Sequence, residues 1–287
     1  MAWGARMMQL KIVHTTTFEY DGLATASYNQ ARLTPPTNAD QIVFHTRVDV
    51  SPAPWTYGYR DYFGTQVTAF EVFDPHGSLT VTAHSTVQTN RSSSPGPRLA
   101  WEELRSPEIT DRRCEYLAGT GLVAPSEEPA AQVAEIGAGS DAPGAAARAI
   151  CDLVHAEVSY TRGSTSVMTH AAEAWEQRAG VCQDMTHLVI GGLRTLGIPA
   201  RYVSGYLHPS ATPEIGVPVS GESHAWVEWW DDGWHAWDVA NAVEPSDRHV
   251  VIAAGRDYAD VKPLSGIFTG AGTSRMAVDV QVTCLKA

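Results

Sequence analysis

Of the four cysteines, Cys114, Cys151, Cys182 and Cys284, one has neighbours that suit a nucleophile. Cys182 follows Gly180, which permits a tight backbone turn. From Cys182 onward Met185, Leu188, Val189, Leu193 and Leu196 recur at helical spacing until Gly197-Ile198-Pro199 stops the run. The spacing predicts a helix with Cys182 at its N-terminus. There the unpaired backbone N–H groups and the positive dipole end favour a thiolate over a thiol, and the same N–H groups can receive an oxyanion. Cys151 shares a helical face with Ile150 and Val154, and Cys284 lies in the alternating run VDVQVTCL, so packing explains both; Cys114 is likewise read as an ordinary thiol. Gly191-Gly192 within the predicted helix costs stability, for which a close helix-to-sheet contact is the expected reason.

A nucleophilic thiol needs a base, and the segment SHAWVEWWDDGWHAWDVAN, residues 223–241, supplies one. Its aromatic and β-branched residues flank Asp231-Asp232-Gly233, a hairpin signal. With a three-residue loop His224 faces Ala240, and Asp238 is its diagonal neighbour on the same face; a loop two residues longer sets Asp238 directly opposite His224. Either register puts an imidazole and a carboxylate within reach, the arrangement that orients a base, whereas a two-residue loop breaks the parity. His235 is off that parity and is read as structural. His187, five residues along the Cys182 helix, points away from the thiol and is read as core or surface. His14, His45, His76 and His84 fall in β-structure, and His155, His170, His208 and His249 have no partner visible in the sequence.

The elements that position these residues fall into two expected units. From Lys11 to about Thr89 short alternating runs such as QVTAFEVF and SLTVTAHSTVQ, broken at Asp21-Gly22, Pro35-Pro36 and Asp74 to Gly77, predict an antiparallel β-sandwich spanning 8–91. The run SSSPGP, residues 92–97, reads as a flexible link. The second unit, 98–287, has a core at 144–245 and C-terminal strands to 287, with helices predicted at 101–104, about 110–117 and 144–158. Residues 123–143 are Ala, Gly, Glu and Pro rich and predict a loop with a helical turn at most. Residues 1–7 read as a leader ahead of the first strand.

With 20 Lys+Arg against 32 Asp+Glu, the 287-residue chain carries a formal charge of -12, which excludes phosphate backbones and anionic membrane surfaces as expected partners. No stretch has the roughly 18 apolar residues of a membrane helix, and the start lacks the pattern of an export signal, so a cytoplasmic protein is expected. The cysteines lack CxxC spacing and no His, Cys or Asp set has a known ligand spacing; neither a metal, nor another cofactor, nor a disulfide is expected.

The run GVCQDMTHLVIGGLRTLGIPARYVSGYL, followed by SHAWVEWW and WDVAN, resembles the transglutaminase-like superfamily, in particular its bacterial cysteine-peptidase-like branch. The resemblance extends back to a β-rich region with DYFGT and forward through DRHVVIAAGRDYADVKPLSGIFTG. It implies an α+β chain: the N-terminal antiparallel β-sandwich followed by a papain-like core in which a cysteine-bearing helix packs on an antiparallel sheet. It also implies Cys182 as nucleophile, His224 as general base and acid, and Asp238 as the carboxylate that orients His224. Where many relatives read Asp-Pro-Thr-Asn this chain reads Asp238-Val239-Ala240-Asn241, which keeps the carboxylate. Asp184 matches a Cys-x-Asp pattern and is read as a helix cap. For the oxyanion the Cys182 N–H is expected, with Gln183, Gln177 and Trp175 as nearby side chains. The stretch Pro209 to Glu222 is a candidate lid or specificity loop, and the Trp residues clustered between Trp226 and Trp237 are expected in the core.

The expected reaction is hydrolysis of a peptide, amide or isopeptide bond in a peptide or protein substrate through an acyl-thioester. Acyl transfer to an amine, as in a transglutaminase or amide ligase, is the alternative, and a non-catalytic scaffold is the rival from another class.

Overall fold

The computed structural model describes residues 7–91 and 98–287; the SSSPGP link and all of the expected leader except Met7 lie outside them. The first strands are β1 (Met8–Thr34), β2 (Gln41–Ser51), β3 (Trp55–Arg60), β4 (Gln66–Val72) and β5 (His76–Thr89). Alternation drives them: along β5 the side chains of Leu79, Val81, Ala83, Ser85 and Val87 are buried while those between are not. β1 is long enough to serve two neighbourhoods. Its first half pairs with β5, and after an irregularity between Glu19 and Ala24 its second half pairs with β4. The β-rich unit is therefore one curled antiparallel sheet in which both layers share β1.

The helical part begins with α1 (Trp101–Leu104), α2 (Pro107–Arg112), α3 (Glu127–Gly139) and α4 (Pro143–Glu157). It continues through β6 (Ser159–Tyr160), α5 (Ala171–Gln177), β7 (Ala179–Gly180) and α6 (Cys182–Thr195). The expected loop at 123–143 is thus corrected, because most of it is the helix α3. Its apolar pattern is thin, with Pro129 and Val133 alone buried, and tertiary contact with α6 decides its state. The Gly191-Gly192 expectation changes too. A Cβ on Gly191 would lie 2.0 Å from the Val123 carbonyl oxygen, and one on Gly192 would lie 3.0 Å from Val133 and 3.2 Å from Ile150. These glycines let a turn and two helices approach α6, whose opposite side meets the sheet.

That sheet holds β8 (Ala200–Leu207), β10 (Glu222–Trp230), β11 (Trp234–Trp237) and β12 (His249–Gly255), in the order β11-β10-β8-β12 and antiparallel throughout. Leu188, Val189 and Leu193 of α6 share one buried cluster with Tyr206, Val227 and Trp229 of the sheet. Trp226, Trp229 and Trp237 are buried, the core use expected of them.

Three strands depart from the expected two-unit division: β9 (Pro218–Ser220), β13 (Leu264–Gly270) and, after the short helix α7 (Tyr258–Val261), β14 (Ser274–Lys286). All three join the first sheet. β14 runs antiparallel along the first half of β1 from Lys286↔Gln9 to Ser274↔Tyr20, β13 lines the second half, and β9 pairs with β14. A strand as long as β1 presents two rows of unpaired backbone groups, and the C-terminal strands satisfy the row that β4 and β5 leave open. Leu10, Ile12, Val87, Val280 and Val282 of this sheet belong to the same buried cluster as α6. Among the described residues no helix is long and apolar enough to cross a membrane.

Candidate active site

Cys182 is the first residue of α6 and is half-buried. The turn before it needs glycine: a Cβ on Gly180 would lie 2.7 Å from the Asp184 Cβ. Asp184 occupies that space as the expected cap, its Oδ2 accepting the Val181 N–H at 2.8 Å and the Thr165 hydroxyl at 2.6 Å. Burial raises its pKa in spite of these bonds. Two suggested oxyanion donors are engaged elsewhere, Trp175 Nε1 with Glu128 and Gln183 Nε2 with the Val167 carbonyl, and Gln177 is exposed. The N–H groups of the first turn of α6 are what the helix itself offers an oxyanion.

His224 lies on β10, opposite Gly205 of β8. The hairpin takes the three-residue register, with Val227 facing Trp237 and Trp230 facing Trp234 across Asp231-Asp232-Gly233. The ladder ends at Trp237, and Asp238 turns inward to bridge Val243. That turn carries the diagonal neighbour onto the imidazole: His224 Nε2 and Asp238 Oδ2 are 2.7 Å apart. Burial alone would lower the His224 pKa. The hydrogen bond with Asp238, followed by that with the Cys182 sulfur, outweighs it and holds the pKa up at about 10. With Nε2 committed to Asp238, Nδ1 is the ring nitrogen left to exchange a proton with the thiol.

Asp238 has no exposed surface, and the structure surrounds it with donors. Its Oδ2 accepts from His224, from Asn241 Nδ2 at 2.7 Å and from His249 Nε2 at 3.1 Å, and its Oδ1 accepts the Asn241 N–H at 3.2 Å. Burial would favour the protonated acid, but the bonds from His224 and then His249 hold the pKa well below the usual carboxylate range. Sequence reasoning missed His249 and Asn241 as partners of this carboxylate. Asn241 is three residues on and inside the quoted motif; His249 is on another strand, where no local period points to it.

His224, Asp238 and His249 also bring three potential ligand atoms within 4.8 Å of one another. The protonation of His249 decides how to read that cluster. The Ser246 N–H donates to His249 Nδ1 at 3.0 Å, so Nδ1 carries the lone pair, and burial lowers the pKa and keeps the ring neutral. Its one proton is therefore on Nε2, donated to Asp238. A ligating histidine has the reverse arrangement, with its outer nitrogen donating. The donor set fits a hydrogen-bonded carboxylate and not a metal ion.

The remaining expectations sort simply. His187 is buried and accepts the Tyr258 N–H, and His235 bonds the Asp231 carbonyl and stacks on Trp229, so both are structural. The four cysteines are free, with Cys151 and Cys284 buried and Cys114 exposed. The candidate lid is tied to the first sheet through β9, and Pro209, Ser220, Gly221 and Glu222 from it border a cleft of about 420 Å³ beside His224.

Residues 10–88 match the bacterial transglutaminase-like N-terminal region, and residues 130–239 match the core of the transglutaminase-like superfamily. The uncharacterized protein ML0607 of Mycobacterium leprae is 41% identical over 279 residues, 97% of this chain and 100% of that protein. A protein-glutamine gamma-glutamyltransferase of Pseudomonas aeruginosa is 27% identical over 188 residues, 62% of this chain but 26% of its own length. A solved structure from Cytophaga hutchinsonii, described as a "putative cysteine protease", superposes with a TM-score of 0.78 at 22% identity over 98% of this chain and 92% of its own, a likeness of fold. With a cysteine-bearing helix on an antiparallel sheet, both regions matched and a relative of full length, the chain belongs to the transglutaminase-like superfamily.

Proposed function

We propose that this protein is a cysteine-dependent hydrolase of a peptide, amide or isopeptide bond, with Cys182, His224 and Asp238 as its catalytic triad. One observation carries the reading: a single imidazole, bonded at 2.7 Å to a fully desolvated carboxylate, lies near enough to a half-buried sulfur at a helix N-terminus for that sulfur to raise its pKa. A buried carboxylate has no structural need of a histidine that also reaches a thiol, and that alignment is what acyl transfer requires.

In this mechanism Cys182 Sγ attacks the substrate carbonyl carbon and forms a C–S bond, while the carbonyl electrons move to an oxyanion facing the N–H groups of α6. Collapse of that intermediate breaks the C–N bond as His224 passes its proton to the departing amine. Water then attacks the thioester, giving a proton back to His224, and the C–S bond breaks to release the acid. Asp238 stays ionised throughout and fixes the ring. The free thiols suit a reducing cytoplasm, and the substrate class is a peptide or protein.

Aminolysis in place of the water step is the second reading, favoured by the similarity to the Pseudomonas aeruginosa gamma-glutamyltransferase. Mass spectrometry of a peptide library incubated with the wild type or Cys182→Ala and an amine donor separates the two. Cys182-dependent addition of water across an amide bond is the expected product. Incorporation of the amine without cleavage selects aminolysis, and absence of any Cys182-dependent product overturns the enzyme reading.

A further inference from the structure

The cleft beside the triad is not centred on the nucleophile. His224 and Asn241 form part of its wall while Cys182 does not, so it opens on the imidazole side of the pair. In an acyl transfer that side holds the amine, because the departing or incoming nitrogen must reach the ring to trade a proton with it. The chemistry of this cleft therefore reports on the amine partner, whatever the acyl group.

Three charged side chains line it: Arg162, Glu222 and Arg248. Arg162 and Glu222 neutralise each other through an ion pair of 2.9 Å at the exposed rim. Arg248 is different. It is half-buried, and among the described residues it pairs with no carboxylate, although acidic side chains outnumber basic ones 32 to 20 in this chain. Its Nη1 donates to the carbonyl oxygens of His208 and Pro209, each at 3.2 Å. Those two bonds anchor the guanidinium and leave its other N–H groups uncommitted. A planar fork held in a cleft, carrying a positive charge and lacking an internal counter-ion, is matched to a carboxylate.

We infer that Arg248 forms a carboxylate subsite for the amine partner of the reaction: the group that leaves from, or attacks, the acyl-enzyme is an amine that itself bears a carboxylate, such as an amino acid or the C-terminal residue of a peptide. The inference rests on the hydrolase reading and deepens it. Arg248 is a specificity-determining residue, and its loss falls on discrimination between amine partners. The exposed Arg162–Glu222 pair beside it adds no net charge and the His224 imidazolium is matched by Asp238, so the charge in the cleft without a carboxylate partner is that of Arg248.

Matched peptide pools that differ only in ending, beyond the scissile bond, in a free carboxylate or a carboxamide test this by mass spectrometry with the full-length protein. The wild type is expected to cleave the carboxylate pool with a kcat/KM higher by about tenfold or more, chiefly through KM. In Arg248→Gln the ratio between the two pools collapses towards one, Arg248→Lys retains part of it, and Arg248→Glu inverts it. A wild-type ratio of one, which needs no variant to fold, overturns the subsite while Cys182-dependent cleavage leaves the hydrolase reading standing. A preference that persists in Arg248→Gln overturns it as well, and absence of Cys182-dependent cleavage of either pool removes both.

Discussion

Two regions of this molecule are assembled by opposite routes. The pair on the hairpin is short-range: His224 and Asp238 are 14 residues apart, and a three-residue loop fixes their relation. The first sheet is long-range, with the start of β1 bonded to the last strand of the chain, Lys11 facing Thr283. The two meet at β12. Gln41, from the first sheet, donates Nε2 to the Val251 carbonyl at 2.9 Å and accepts the Val251 N–H at 2.8 Å, beside the irregularity in the β12 pairing. Two residues earlier on that strand His249 donates to Asp238. The difference teaches that the proposed catalytic pair is built locally in this fold, while a distant sheet props the strand whose His249 holds the carboxylate from behind.

The comparison predicts a graded series of losses. Asp238→Asn strikes the local construction at its centre: kcat is expected to fall by about a thousandfold or more, as happens when a triad carboxylate is replaced by an amide. The alkaline limb of the pH–rate profile, expected in the wild type where His224 loses its proton near 10, should move to lower pH in this variant. A limb that stays in place contradicts the role given to Asp238.

His249→Leu removes one of four bonds to the carboxylate and lowers kcat by about ten- to a hundredfold with little change in KM, because the triad remains but is held less well. His249→Gln, which can donate from a similar position, recovers part of the rate. Equal rates for the leucine and glutamine variants would show that His249 merely fills space.

Gln41→Leu tests the seam. Leaving both polar groups of Val251 unpaired costs about 1–3 kcal/mol of stability for each group, read as a lower melting temperature, with a smaller drop in kcat than His249→Leu. A loss of rate as large as that of the histidine variant would break the distinction between the two regions.

A further effect falls on pH-dependent stability. A pKa raised from 6.5 to about 10 means that His224 stabilises the folded chain fully below pH 6.5 and ceases to do so as the pH rises through 10. The melting-temperature advantage of the wild type over His224→Ala should shrink across that window, and a constant difference would contradict the pairing.

The legibility of these parts in the sequence follows the same divide. The cysteine helix could be read because its apolar period is strong and Gly197-Ile198-Pro199 ends it. His224 and Asp238 could be paired because a turn signal sets strand parity. What escaped was decided by tertiary contact. The Ala-rich α3 carries two buried residues and becomes helical against α6, and the partners of β14 depend on which edge of β1 is free. His249 reaches Asp238 only after β12 has paired with β8, an event with no trace in the spacing of residues around it. The glycine pair of α6 marks a place of close approach, but which neighbour comes close is a property of the assembled helices.

The most direct test is the rate of alkylation of each cysteine by iodoacetamide in the wild type and in His224→Ala, followed by mass spectrometry. Cys182 should react faster than exposed Cys114 and far faster than buried Cys151 and Cys284, and His224→Ala should slow Cys182 alone, by about tenfold or more. Equal labelling of the cysteines, or a Cys182 rate indifferent to His224, would contradict the account.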